Sequence, residues 1–417
     1  MINTFKIAVR NLLRYKRRSL LTSLLITVGV VMVILFSGLS GSFKEMMVGL
    51  ITDATLAQMQ IHKKGYVSSI DTIPLNLNLK PNEYKKITDM LEKNPLVESY
   101  SPRIKLGAML SNYKETTNIR LNAIRPDSEI NVCPALPDRI TFKNRKAGQD
   151  LLNPGEIIIP DKLAKGLDVK HGDTVVLVAH NRDGSVNGLN FTVAGVIESV
   201  AGPQGKEGYI HIKDARDLLR IEVPEVTEVA IRTGDFRKVD TLYTEINNSL
   251  SGFKNPKGKP MFEIHTWEAL SPFYNIARMI DLMSVSMKII MIAIVLISIL
   301  NVMMMSVYER VREIGTIAAI GTAPGKIMGL FLSEGFSLGF ISTLFANIIG
   351  VGAVYILNIY KIRFSFARTE NLLLSPTVNY NELIWVSVIV LLVSILATLQ
   401  PAYKASKMEP ADALRHV

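Results

Sequence analysis

Several short patterns in this 417-residue chain have residue types that could do chemistry, and each is set against its spacing or its surroundings. Gly321-Thr322-Ala323-Pro324-Gly325-Lys326-Ile327 approaches a phosphate-binding loop. It is one residue short, and Ile327 stands where a Ser or Thr hydroxyl should reach Mg²⁺. Gly335-Phe336-Ser337-Leu338-Gly339 matches the G-x-S-x-G pattern of a hydrolase nucleophile. That serine needs a strand-to-helix turn, and here it sits inside a long apolar stretch. The same two glycines make a small-x-x-x-small pair, which lets helices pack closely in lipid. The histidines at 62, 171, 180, 211, 265 and 416 show no paired metal-ligand spacing. Cys133 is the single cysteine, so it reads as a structural thiol. No catalytic residue, cofactor-binding residue or metal ligand is expected in this chain, and ATP with Mg²⁺ would have to be bound by a partner.

Glu334 stands apart, being one acid in an apolar run from Ile327 to Tyr360. A carboxylate within a membrane is costly and calls for a partner or a function. It lies about two turns from the end of the run, so pairing with Arg310, Arg312 or Lys326 is the expectation.

The elements that must hold these residues are read from hydropathy. Mean hydropathy is +0.25, with 48% hydrophobic and 20% charged residues, as suits a chain that is part membrane and part soluble domain. A helix needs about 20 apolar residues to cross a bilayer. Four runs qualify: Ser19–Phe43, Ile289–Tyr308, Ile327–Tyr360 and Leu383–Tyr403. Small residues at Ser40 and Gly41 could mimic a signal-peptide cleavage site, but the first run is longer than such peptides carry. With the N-terminus inside, the cytoplasmic segments hold twelve Lys and Arg residues and the short outer loop, 361–382, holds three. Both termini are therefore expected in the cytoplasm of a bacterial inner membrane. Phe5, Ala8, Val9, Leu12 and Leu13 oppose Lys6, Arg10, Arg14 and Arg17 on a helical wheel, which predicts an interfacial helix over 1–18.

The segment 44–288 is too long for a loop and carries little of the +10 net charge. A nucleic-acid partner is therefore not expected. Apolar or alternating runs predict strands at Gln58–His62, Gly155–Ile159, Thr174–Ala179, Asn190–Ile197, Tyr209–Ile212 and Glu228–Arg232, with a hairpin turn at Asn181–Gly184. Helices are predicted at Asn82–Lys93, Asp214–Leu219 and Phe236–Leu250. The fold class expected is an α-helical membrane protein with four transmembrane helices and a large α+β extracytoplasmic domain between the first and second. The order β, α, β, β, then a β-rich insert near 155–199, then α and β again, suggests two subdomains. Two apolar stripes flank the domain: Phe43, Met46, Met47, Leu50 and Ile51, then Trp267, Leu270, Tyr274, Ala277, Ile280 and Met283. Both are expected to be stalk helices.

The run Tyr308-Glu309-Arg310-Val311-Arg312-Glu313-Ile314-Gly315 through Gly321, and the run Pro401 through Arg415, resemble the FtsX-like permease domain of the MacB/LolC/LolE/FtsX superfamily of ABC transporters. The entry segment Arg10–Arg18 is similar to the start of the same proteins. Gln60-Ile61-His62-Lys63-Lys64-Gly65-Tyr66 resembles the first outer strand of LolC/LolE-type lipoprotein-releasing permeases.

The resemblance implies a permease subunit that is not itself an enzyme. It implies an ABC ATPase subunit as partner, a second permease subunit in a homo- or heterodimer, membrane lipid, lipoprotein cargo and a periplasmic carrier. A MacB-type efflux permease and an FtsX-type regulator of cell-wall hydrolases are the alternatives. Glu309, Arg310, Arg312, Glu313, Ile314 and Gly315 are then the expected ATPase-coupling helix, with Glu313 on its surface. Met46, Met47, Leu50, Met279, Met283 and Met287 are the expected path for acyl chains, because flexible thioethers accommodate varied apolar shapes.

Overall fold

A computed structural model describes residues 7, 10–12, 14–142, 151–198, 206–271, 273–360, 363–366, 369–373 and 375–409. Phe5, Ala8, Val9 and Leu13 of the expected interfacial helix lie outside these residues, as do Lys6, Lys361, Arg368 and the last eight positions. The described chain divides into two compact units. One holds the long apolar helices, and the other is essentially residues 46–276.

Among the described residues, four helices are long and apolar enough to cross a membrane, and they organise the helical unit. Helix α1 runs from Lys16 to Ile51 and passes out of the unit at its end. The others begin beyond the inserted domain. The first expected span extends to Lys16–Ile51 and the second starts at Tyr274 rather than Ile289, because the flanking polar residues continue the same hydrogen-bond ladder, whereas the third ends at Tyr360 as expected.

Small residues set how closely these helices approach. A Cβ added at Gly335 or Gly339 would collide with Thr398 or with Ser394, so the paired glycines bring two helix backbones together. Ser337 donates to the Ser333 carbonyl at 2.7 Å, as a helix-interior hydroxyl does, which rules out an exposed nucleophile. At Gly29 a Cβ would lie 2.7 Å from Val295, and at Gly350 it would lie 2.8 Å from Ile34. The core of the unit runs through Ile26, Val30, Val33, Val295, Ile299, Phe331, Leu338, Val390 and Ala397.

The inserted domain is α+β. After α1 come a π-helical segment at Thr52–Leu56, then β1 (Met59–Lys63), α2 (Pro81–Leu91), β2 (Val97–Ser111), β3 (Thr116–Ile124) and α3 (Pro126–Val132). These are followed by β4 (Ile140–Thr141), β5 (Glu156–Pro160), α4 (Asp161–Gly166), β6 (Thr174–His180), β7 (Val186–Ile197) and β8 (Glu207–His211). The domain ends with α5 (Ile212–Leu219), β9 (Glu228–Thr233), α6 (Val239–Ser251), β10 (Phe262–Thr266) and α7 (Trp267–Leu270). One ten-stranded sheet runs in the order β10-β1-β9-β2-β3-β8-β5-β7-β4, with β6 paired to both β2 and β7.

Both faces of this sheet are covered. Ile157 and Ile159 on β5 and Val229 and Ile231 on β9 enter the larger core. Ile158 and Ala230, one residue out of phase, enter a second core with Cys133, Leu136 and Tyr209. The two-residue period of a strand thus explains the consecutive apolar residues at 157–159 of β5 and 229–231 of β9. The hairpin turn forms at Asn181–Gly184, where Gly184 adopts a φ of +82° and Asn181 N donates to the Ser185 carbonyl at 2.8 Å.

The expected second subdomain is not separate. Ala108–Ser111 of β2 pairs with Val176–Ala179 of β6, so the insert closes back onto the main sheet. Strands β2 and β3 fill the place of the two strands expected between the helix at 82–93 and the insert, whose bounds the local pattern did not define. Their charged residues interrupt the alternation, and cross-strand partners decide such strands rather than local pattern.

The second expected stalk is also corrected. Trp267–Leu270 forms one short turn of helix, Ser271 is extended at ψ 126°, and a new helix, α8, starts at Tyr274 and runs to Glu309. The stripe from Trp267 to Met283 is therefore two helices. Beyond α8 come α9 (Val311–Ala319), α10 (Pro324–Tyr360), a short hairpin of β11 (Arg363–Phe366) and β12 (Thr369–Leu373), and α11 (Tyr380–Ser406).

Candidate functional site

The charged residues of the helical unit converge where α8 ends. At Arg310 the backbone leaves helical geometry (φ −111°, ψ 19°), and α9 restarts at Val311 in a new direction. The break turns the Arg310 side chain inward, where it is 5% exposed. Its Nη1 donates to Glu334 Oε2 at 3.2 Å, and its Nε donates to Glu313 Oε2 at 2.9 Å. The guanidinium also lies over the rings of Phe331 at 5.7 Å and Tyr15 at 5.9 Å. Tyr15 OH donates to Glu313 Oε1 at 3.4 Å, and Arg14 Nη1 lies 3.5 Å from the same oxygen.

Arg310 therefore joins the N-terminal segment, α9 and α10 through one buried cation. Glu334, 1% exposed, is paired with a neighbouring cation as its position suggested. Glu313 is partly exposed, with 37% of its side chain accessible, and is engaged by Arg310, Arg14 and Tyr15. Burial raises its pKa, but the hydrogen bond and charge of Arg310, with Arg14 and Tyr15, outweigh that and hold it below the usual carboxylate range.

The remaining coupling residues divide by face. Ile314 and Gly315 are buried against the bundle. Glu309 and Arg312 are exposed. Sequence reasoning missed Ile317, 37% exposed, and Ile320, 81% exposed, on the outward side of α9 and its C-terminus. Two apolar side chains beside polar ones on a short exposed helix are the signal of an interaction face in the sequence. Gly321, at φ +93°, closes the helix, and Pro324 opens α10. The sequence that approached a phosphate-binding loop is thus a helix–helix turn, and Ile327 packs into the bundle core.

The methionines expected to line an acyl path have different surroundings. Met47 is 6% exposed and belongs to packed structure, while Met46 and Leu50 are half-buried. On α8, Met279 and Met283 are 57% and 56% exposed, and Met287 is half-buried. Met47 is therefore a packing residue, whereas Met279 and Met283 have the exposure that the role requires. Near them, within the helical unit, Lys44 Nζ pairs with Asp281 at 2.6 Å, Ser284 Oγ donates to Ser40 Oγ at 2.9 Å, and Glu382 accepts from both Ser37 and Lys288. These contacts latch one end of α1 to α8 and α11.

The inserted domain holds a buried ionic network that sequence spacing could not show. Glu228 takes Arg103 Nη1 at 3.2 Å, Lys105 Nζ at 3.3 Å and His62 Nε2 at 3.3 Å. Burial alone would raise its pKa, but Lys105, His62 and Arg103 together drive it well below the usual range. Arg103 also bonds Glu129, and its Nη2 lies 3.2 Å from Cys133 Sγ. Burial pushes that thiol up to about 12 against the pull of Arg103, so Cys133 is inert, as expected of a structural thiol. Register brings His62 and His265 together at 5.9 Å between ring centroids, although 203 positions apart in sequence. Among the described residues no group of three or more His, Cys, Asp or Glu could hold a metal. The network organises the strands on which it sits.

Comparison with known proteins bears on this architecture. Residues 19–249 match the MacB-like periplasmic core domain, and residues 285–410 match the FtsX-like permease C-terminal domain. The chain is similar to the lipoprotein-releasing system transmembrane protein LolC of Neisseria meningitidis, with 24% identity over 92% of this chain and 90% of that one. LolC of Haemophilus influenzae is 26% identical over 64% of this chain and 66% of its own length. The macrolide export ATP-binding/permease protein MacB of Bdellovibrio bacteriovorus is 26% identical over 55% of this chain but only 35% of that protein. Among solved structures, the periplasmic region of MacB from Actinobacillus actinomycetemcomitans is 14% identical, with a TM-score of 0.36 over 55% of this chain and 98% of that one. Four long apolar helices, an α+β domain placed between the first and second, and matches over both regions give one conclusion: the chain belongs to the MacB-like and FtsX-like family of ABC transporter permeases, membrane proteins of the bacterial inner membrane.

Proposed function

We propose that this chain is the permease subunit of a lipoprotein-releasing ABC machine, with α9 on the cytoplasmic side as the docking helix for a separate ATPase. The observation that carries the docking role is the two-sided build of α9. Its inner face is fixed to the bundle by Ile314, Gly315 and the Arg310–Glu334 pair. Its outer side presents Arg312, Ile317 and Ile320. A helix anchored on one side and apolar on the other can pass a push into the bundle. Covering Ile320 alone would stabilise a contact by about 1.5–3 kcal/mol.

The excess of Lys and Arg in the segments at this end supports its cytoplasmic placement, with both termini on the same side. Similarity to LolC proteins over most of the chain supports lipoprotein as cargo and a soluble carrier as acceptor. A second permease subunit would complete the assembly. In this reading Met279 and Met283, exposed on α8, contact acyl chains as they leave the bilayer.

Reconstitution tests the reading. The chain would be co-expressed with an ABC ATPase and a second permease subunit from its own genome and placed in vesicles with a fluorescent lipoprotein. ATP should transfer the lipoprotein to an added soluble carrier. ATP turnover with no transfer, but with export of a macrolide or peptide, would assign the chain to efflux instead.

A further inference from the structure

On one side of the α1–α10 seam lies a groove of about 720 Å³. Its walls follow helical spacing. Leu20, Leu24, Val28 and Met32 recur on one side of α1, and Phe345 and Ile349 recur on α10. All six are about half or more exposed, from 49% at Val28 to 64% at Leu20. The floor is closed by hydroxyls that are already engaged. Ser342 Oγ donates to Ser23 Oγ at 2.9 Å, and Thr27 Oγ1 donates to the Ser342 carbonyl at 3.2 Å. Along this length the groove therefore offers only hydrocarbon.

Its N-terminal end is different. Lys16 lines the groove, is exposed, and has no ion-pair partner among the described residues. One turn on, Ser19 also lines it, and its Oγ is buried without a hydrogen-bond partner. A buried hydroxyl left unmatched is costly unless something else satisfies it. The stretch before Ser19 adds five more cations and no acid. The occupant that fits is anionic at one end and apolar along the rest. A helix of another chain would meet the apolar walls, but it would not by itself satisfy an unpaired ammonium and a buried hydroxyl at one end only.

We propose that this groove binds an anionic phospholipid from the leaflet on the N-terminal side, one acyl chain between α1 and α10 and its phosphate at Lys16 and Ser19. The site is distinct from the exposed methionines of α8 and does not depend on what the transporter carries. A lipid seated there would brace α1 against α10 at the end where Tyr15 meets the Arg310 clamp.

The test uses the full chain in mild detergent, mixed with phosphatidylglycerol or phosphatidylcholine and read by native mass spectrometry. The wild type should retain phosphatidylglycerol in preference. Lys16→Gln should lower that preference about fivefold, the effect of one interfacial lysine on an anionic lipid. Val28→Trp, which fills an exposed part of the groove, should reduce retention of both lipids. Lys407→Gln, outside the groove, should change neither, and matching unfolding midpoints would show that the variants fold. Equal retention of the two lipids by the wild type would overturn the proposal, as would retention unaffected by both groove variants. A photo-reactive residue at position 28 should crosslink lipid, and crosslinks only to a second protein chain would overturn it in favour of a subunit interface.

Discussion

Removing the charge of Glu334 tests how α9 is held. Arg310 and Glu334 are 5% and 1% exposed, so their pair is fully desolvated. Breaking such a pair by deleting one partner costs about 3–5 kcal/mol, because the other charge stays buried. Here Arg310 keeps Glu313 at 2.9 Å and the faces of Tyr15 and Phe331, which offset part of that loss. Glu334→Leu should therefore cost about 3 kcal/mol, at the lower edge of the range. Glu334→Gln keeps the shape and can still accept from Nη1, so it should cost about 1–2 kcal/mol, a charged hydrogen bond weakened rather than removed. Exchanging both partners, Arg310→Met with Glu334→Leu, should recover much of the stability, since apolar replacements of a buried pair are often neutral. Unfolding of the full chain in detergent, followed through its two tryptophans, measures all three. The Gln variant should also keep transport, because the carboxylate's task is structural. Wild-type stability in the Leu variant would refute the clamp, and a well-folded Gln variant without transport would show that Glu334 acts in the transport cycle.

Two further perturbations follow from burial and charge. Met47→Asp should lower the yield of folded protein, since it places a carboxylate where 6% of the residue is exposed, whereas Met283→Asp at 56% exposed should fold normally and impair cargo release; expression and release assays on both variants check this, and normal release from the Met283 variant would remove α8 from the acyl path. Glu228 is depressed in the folded state by Lys105, His62 and Arg103 against the effect of burial, so its stabilisation is present above its unfolded value of about 4.3 and is lost as pH falls through the lower folded value. Glu228→Gln should thus be less stable than the wild type at pH 7, with the gap narrowing by pH 3; a gap independent of pH would contradict the ionic role.

What could be read in the sequence was what depends on local pattern. The four long helices follow from uninterrupted apolar runs, and β5, β7 and β9 follow from Val- and Ile-rich segments bounded by turn residues. Glu334 announced a partner because a lone acid in an apolar run must find one. Features that depend on the third dimension were not legible. Strands β2 and β3 carry Arg103, Lys105 and Arg120, charges that only make sense once Glu228 and Asp71 are placed beside them. His62 and His265 meet through strand register alone. The burial of Met47 and the exposure of Met283 differ although both sit on helical apolar stripes, because periodicity shows that a face exists and not what covers it. The break at Arg310 falls within two residues of where the second span was expected to end and the coupling helix to begin, although neither Gly nor Pro marks it.

The central claim is that α9 passes force between an ATPase and the membrane helices. Placing a photo-reactive residue at position 320, the most exposed apolar side chain at the end of α9, tests it most directly in cells that express the full chain with the ABC ATPases of its own genome. Irradiation should give a crosslinked product of the two chains, and a reactive residue at the buried position 314 should give far less. Equal or no crosslinking to the ATPase from position 320, with the complex intact on purification, would contradict the assignment of α9 as the coupling helix.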